Sequence, residues 1–240
     1  MSKLKKAPLV EVVFELRWAI TNSNDLAKAQ YLYGDLYNEL KDSYPFREGI
    51  VPAEVPVELL INRPIHRFRK AKNDYPLCQV GPGIITHNTI DKQYFWDSFY
   101  ENTTKLIDSF FKVFPLNEQI SISLLYIDLI PFDFANNNVY KFLNDNLNID
   151  FKQSFLDENS QPFDLSFGFY YKTKFGNLEL TFKRGRKNEN EEGILIQTRL
   201  NGDNISTEIN QIFNWLENAH DTCSNTFKKL ISTKLYDSFQ

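Results

Sequence analysis

The chain has 240 residues, 42% of them hydrophobic and 15% aromatic, with 21 Phe and 12 Tyr. That length and apolar content suit one sizeable domain or two small ones and exclude a disordered chain. A formal net charge of −4 and an isoelectric point near 5.5 exclude a protein that coats nucleic acid or anionic membrane with its whole surface, though not a local basic patch.

The first element is a strand over Pro8 to Ile20. Val10, Val12, Phe14, Leu16, Trp18 and Ile20 alternate with a mostly polar set containing Glu11, Glu15 and Arg17. Successive strand side chains point to opposite faces, so this spacing describes one apolar and one wetter face. Asn22 to Asp25 then offers capping side chains, and a helix to about Lys41 presents Ala29, Leu32, Leu36 and Leu40 at three-to-four spacing. Tyr44-Pro45 ends it. Glu48 to Pro56 reads as a connection. Strands are predicted over Val57 to Asn62, Ile65 to Lys70 and Leu77 to Thr86, the last interrupted or divided by Gly81-Pro82-Gly83. A second helix covers about Lys92 to Phe114 and stops at Pro115.

A second series follows: a strand over Ile120 to Ile130, a short helix over Asn138 to Leu147, and strands over Leu165 to Thr173, Leu178 to Arg184 and Ile194 to Leu200. Phe175-Gly176-Asn177 turns the first strand pair, and Lys187 to Glu192 connects the second. A long helix from about Asn204 to Leu235 closes the chain. Each half, 1–116 and 117–240, reads strand–helix–strand–strand–strand–helix. Consecutive strands with short turns imply antiparallel pairing. The predicted class is therefore α+β: an antiparallel sheet with helices on one face, pseudo-duplicated in a TATA-binding-protein-like or helix-grip-like layout, in one compact unit. Fold analogy of this kind carries no function.

Four stretches occur together in a recognisable order: KAPLVEVVFELRW at the start, YFWDSF at 94–99, SLLYIDLIPF at 123–132 and LENAHDTCSNTFKKLIS at 216–232. The chain resembles, along essentially its whole length, a sporadically distributed prokaryotic family of about this size with no assigned function. Leu125-Tyr126-Ile127-Asp128 departs from that family's usual Arg-Tyr-Ile-Asn wording. The resemblance implies no catalytic residues, and its patchy distribution suits an accessory component of a mobile or defence locus.

Two well-separated cysteines, Cys78 and Cys223, are too few for a secreted disulfide scaffold and read as reduced. Lys3, Lys5 and Lys6 precede an apolar run, but Glu11, Glu15 and Arg17 interrupt it as no signal sequence would tolerate. No transmembrane stretch is present in the sequence. A soluble, cytoplasmic protein is expected.

No stretch carries a specific catalytic or cofactor motif, so no catalytic residue, cofactor or metal is implied. His66, His87 and His220 lack metal-ligand spacing. Gly81-Pro82-Gly83 reads as a turn, since Pro82 removes a donor that a phosphate cradle needs. Asp128 is the candidate buried acid, sharing a strand face with Ile122, Leu124, Tyr126 and Ile130. The plainer reading puts it at a strand end reaching solvent. The candidate nucleic-acid contacts are two basic segments: Arg63, Arg67, Arg69 and Lys70, with His66 and Lys72 beside them, and Lys183, Arg184, Arg186 and Lys187. Nearby Asp74, Glu189, Glu191 and Glu192 dilute them, and strand edges are commonly charged for protection. The sequence thus favours a non-enzymatic interaction protein with a protein partner or self-association. Nucleic-acid or nucleotide binding is the alternative, and an enzyme with an unfamiliar site around Asp128 is the weakest reading.

Overall fold

A computed structural model describes residues 4, 6–90, 92, 94–157, 160–188 and 191–240. Lys3, Lys5, Glu189 and the centre of the Lys187–Glu192 connection lie outside the described residues. The class is α+β. The described residues form nine strands and five α-helices, and the strands make one large antiparallel sheet. They are β1 (Leu9–Arg17), β2 (Phe46–Gly49), β3 (His66–Arg69), β4 (Leu77–Gly81), β5 (Ile84–Ile90), β6 (Ile120–Pro131), β7 (Ser166–Thr173), β8 (Gly176–Asn188) and β9 (Glu191–Ile205). The helices are α1 (Ser23–Leu40), α2 (Trp96–Val113), α3 (Val139–Asn146), α4 (Ile209–Leu230) and α5 (Thr233–Asp237). The hydrogen-bonded order is β2-β3-β4-β5-β1-β6-β9-β8-β7.

The chain divides into two compact units. One comprises residues 1–10, 125–200 and 219–240; the other comprises 11–124 and 201–218.

In the second of these, α1 forms where the sequence places it. The Asn22 side chain accepts from the Asn24 and Asp25 N–H groups at 2.9 and 3.0 Å, satisfying two donors that the first turn leaves without partners. Ala29, Leu32, Leu36 and Leu40 are its buried stripe. One strand row, Phe68–Cys78–His87–Phe14, crosses β3, β4, β5 and β1 in register. Directly opposed residues share a face, so this row meets the helices: Tyr37 lies 5.5 Å from Phe68, and Phe99 stacks 4.8 Å from His87. The Gly81-Pro82-Gly83 segment divides β4 from β5 into a hairpin, with Gly83 at φ +80°, which an L side chain rarely adopts.

Two predicted elements here are corrected. Val57 to Asn62 is not a strand: Val57–Leu60 is one turn of 3-10 helix, and Asn62 takes a left-handed φ of +63°. A short apolar run after Pro56 fits either state, and only Leu60 is buried in it. The supposed connection from Glu48 begins inside β2, which Phe46 to Gly49 forms by pairing with β3.

The other unit has its own core, built from Ile130 and Phe132 on and just after β6, Val139 and Leu143 on α3, Leu180 and Phe182 on β8, and Ile194 and Ile196 on β9. Phe182 is fully buried and stacks 4.6 Å from Phe167 of β7. The long terminal helix is also corrected. It breaks at Ile231, which bridges to Leu147, and Ser232 caps α5 through the Leu235 N–H at 3.3 Å.

Candidate functional site

The first basic segment belongs to a balanced polar network. Glu48, Arg67, Gln79, Thr86 and Glu15 form one register row, on the face opposite the helices. Glu48 forms ion pairs with both Arg67, at 3.5 Å, and Arg69, at 3.2 Å. Arg69 is only 6% exposed and lies over the Tyr75 ring at 5.6 Å. Farther along, Thr86 donates to Asn88 at 2.7 Å, and Asn88 donates to Glu11 at 2.8 Å. Arg17 pairs with Glu15 at 3.1 Å. Charges taken out of water must be paired in this way. Arg63, Lys70 and Lys72 are exposed beside it.

The second segment repeats the motif of two arginines on one glutamate. One guanidinium nitrogen of Arg184 reaches both carboxylate oxygens of Glu192, at 2.9 and 2.8 Å, and Arg186 reaches Oε2 at 2.9 Å. Arg184 also donates to the Phe163 carbonyl and lies 4.9 Å over the Phe134 ring. The hydrogen bond from Arg184, and then that from Arg186, holds the Glu192 carboxyl below the usual carboxylate range. Lys183 and Lys187 are exposed. The four arginines on these strands are thus engaged by two glutamates, which cancel half of their charge.

Glu192 also borders a cleft of about 770 Å³, whose wall includes Phe132, Asp133, Lys141, Phe142 and Asp145. Asp128 is 6% exposed and is not part of that wall. Burial pushes the Cys78 and Cys223 thiols up to about 12, away from the reactive thiolate form. Thr103 donates to the Phe99 carbonyl at 2.7 Å, so it accepts from the Nδ1–H of His87 at 2.8 Å. Burial then pushes the His87 ring down to about 3. His220 bonds the Tyr126 hydroxyl at 2.7 Å, and His66 stacks on Tyr33 at 3.7 Å. No group of three His, Cys, Asp or Glu side chains among the described residues could hold a metal. No described helix is long and apolar enough to cross a membrane.

One feature escaped the sequence reading. β7 ends the strand order, and among the described residues nothing pairs with its outer side. Its counterpart at the opposite end, β2, is four residues long and carries Arg47 and Glu48, the short charged form that blunts an edge. β7 has eight residues, no proline and one charge, Lys172. Tyr170 is 71% and Tyr171 51% exposed, and Phe155, Leu156 and Phe163 are exposed on the segment leading into it. Strand alternation was legible at β7. Its position at the edge depends on strand order, which local sequence does not encode.

Compared with known proteins, the sequence matches no family model and no curated protein.

Proposed function

We propose that this chain is a non-enzymatic interaction protein that recognises a protein partner by receiving an extended strand along β7. The observation that carries the reading is the unpaired β7 edge with Tyr170 and Tyr171 exposed upon it. An edge of this kind offers main-chain hydrogen bonds for affinity and aromatic side chains for selectivity. Tyr170 on one face of the strand and Tyr171 on the other are exposed side chains of a type enriched at interfaces. The nucleic-acid reading draws less support, because Arg67, Arg69, Arg184 and Arg186 are each engaged with a glutamate.

The test is selection of random linear peptides on the immobilised protein, with Tyr170→Pro as the control. Proline removes a backbone donor from the outer edge while leaving the bonds to β8 in place. Peptides with alternating apolar residues that bind wild type and lose binding to Y170P are expected. Failure to enrich any such peptide, or equal binding to Y170P, overturns the reading.

A further inference from the structure

The Arg184 N–H donates to the Leu165 carbonyl at 3.1 Å, and the β7–β8 register runs from Ser166 opposite Lys183 to Thr173 opposite Gly176. Hydrogen-bonded and non-hydrogen-bonded pairs alternate along an antiparallel ladder. Odd-numbered residues of β7 therefore turn their backbone groups toward β8. Ser166, Gly168, Tyr170 and Lys172 turn theirs outward.

We infer that the strand received by β7 is β7 of a second copy of this chain, paired antiparallel about a two-fold axis at Phe169. This inference rests on the reading of β7 as an interaction edge and names its partner. Self-complementarity decides the occupant. With the axis at Phe169, Tyr170 faces Gly168 of the second copy, and Lys172 faces Ser166. No like charges oppose one another, and an aromatic ring covers each edge glycine, a pairing that stabilises sheet edges. Within one chain Tyr170 already leans that way: a Cβ built on Gly168 would sit 3.6 Å from its ring.

The other face adds a second, independent match. Phe167, Phe169 and Tyr171 form a ladder of rings along β7, with centroids 6.0 and 6.4 Å apart. In the proposed register Phe169 meets Phe169 of the second copy, and Phe167 meets Tyr171, so the ladder continues across the axis as three aromatic pairs. An isologous contact of this kind closes at two subunits and, among the described residues, leaves only the short, charged β2 strands as edges.

Sedimentation equilibrium over a wide concentration range reads the association directly. A species of twice the 28.2 kDa chain mass is expected. Y170P should weaken it about tenfold or more, by deleting two symmetry-related hydrogen bonds. The register is read by cysteine cross-linking. The non-hydrogen-bonded pair at Phe169 brings its Cα atoms to about 4.5 Å, within disulfide reach. Oxidised Phe169→Cys should therefore form a covalent dimer, and Tyr171→Cys, which faces Phe167, should not. A monomeric wild type overturns the self-pairing, as does association unaffected by Y170P. If the wild type is monomeric yet still selects peptides that Y170P loses, the edge reading stands and only the second copy is wrong. If neither occurs, both fall.

Discussion

A single guanidinium nitrogen of Arg184 holds both carboxylate oxygens of Glu192, and Arg186 joins them from two residues along the same strand. Because Glu192 is held below the usual carboxylate range, its contribution to stability is present above the ordinary value near 4.3 and is lost as pH falls through the lower folded value. Thermal midpoints should therefore drop more between neutral pH and strong acid for wild type than for Glu192→Gln. The same substitution releases two arginines. By fluorescence anisotropy, E192Q should bind labelled single-stranded DNA more tightly than wild type, with a salt slope steeper by about one to two counterions. Equal affinities at low salt would show that the glutamate is not what restrains them.

His87 supplies a pH effect of the opposite origin. It is 1% exposed, its Nδ1–H is spent on Thr103, and its Nε2 has no hydrogen-bond partner among the described residues. An added proton would enter a site with no acceptor, so the folded ring stays neutral down to about 3. Between the ordinary histidine value near 6.5 and that point, the unfolded chain takes up a proton the folded chain refuses. Stability falls there by up to about 1.4 kcal/mol per pH unit. His87→Gln removes the titration, so urea unfolding should show the gap between wild type and H87Q narrowing from pH 7 to pH 4. Parallel curves would contradict the burial of a neutral ring.

Phe182 and Tyr170 separate packing from docking. Phe182 is fully buried against Phe167, so Phe182→Ala leaves a cavity and should cost about 3–5 kcal/mol of unfolding free energy. Tyr170 is 71% exposed, and its truncation to alanine should change monomer stability by no more than about 0.5 kcal/mol. Denaturant titration at low protein concentration checks both. A large loss at Tyr170 would mean that the ring serves the fold rather than a partner.

Local signals were readable wherever one element supplied its own reasons. α1 is legible because Asn22 caps it and its leucines recur at helical spacing. The α4–α5 break was hidden because the apolar stripe continues through Leu230 and Ile231, although Ser232 is an N-cap signal in plain view. β2 was missed because Arg47, Glu48 and Gly49 give no apolar run, and its strand form comes from pairing with β3. The basic segments were visible as residues but not as a site. Glu48 lies far from Arg67 in sequence, and only the β2–β3 register places them opposite each other. Likewise β7 reads as an ordinary strand until the order of all nine puts it at an edge.

Gly193 tests how tightly β9 seats against β6. A Cβ built on it would overlap the Ile130 carbonyl oxygen and lie 2.8 Å from the Ile130 carbonyl carbon and 3.0 Å from the Cα of Pro131. All three contacts are backbone atoms, which cannot rotate aside as a side chain could. Ile130 and Ile194, beside this contact, both belong to the core shared with α3 and β8. Gly193→Ala must therefore move one strand away from the other, opening that core, and should cost about 1–3 kcal/mol, the usual penalty of overpacking. Gly34 of α1 is the control, since a Cβ there meets nothing within 4 Å. Gly34→Ala should raise stability by up to about 1 kcal/mol through helix propensity. Opposite signs in the two thermal midpoint shifts are expected, and a neutral Gly193→Ala would show that β9 has room the geometry denies it.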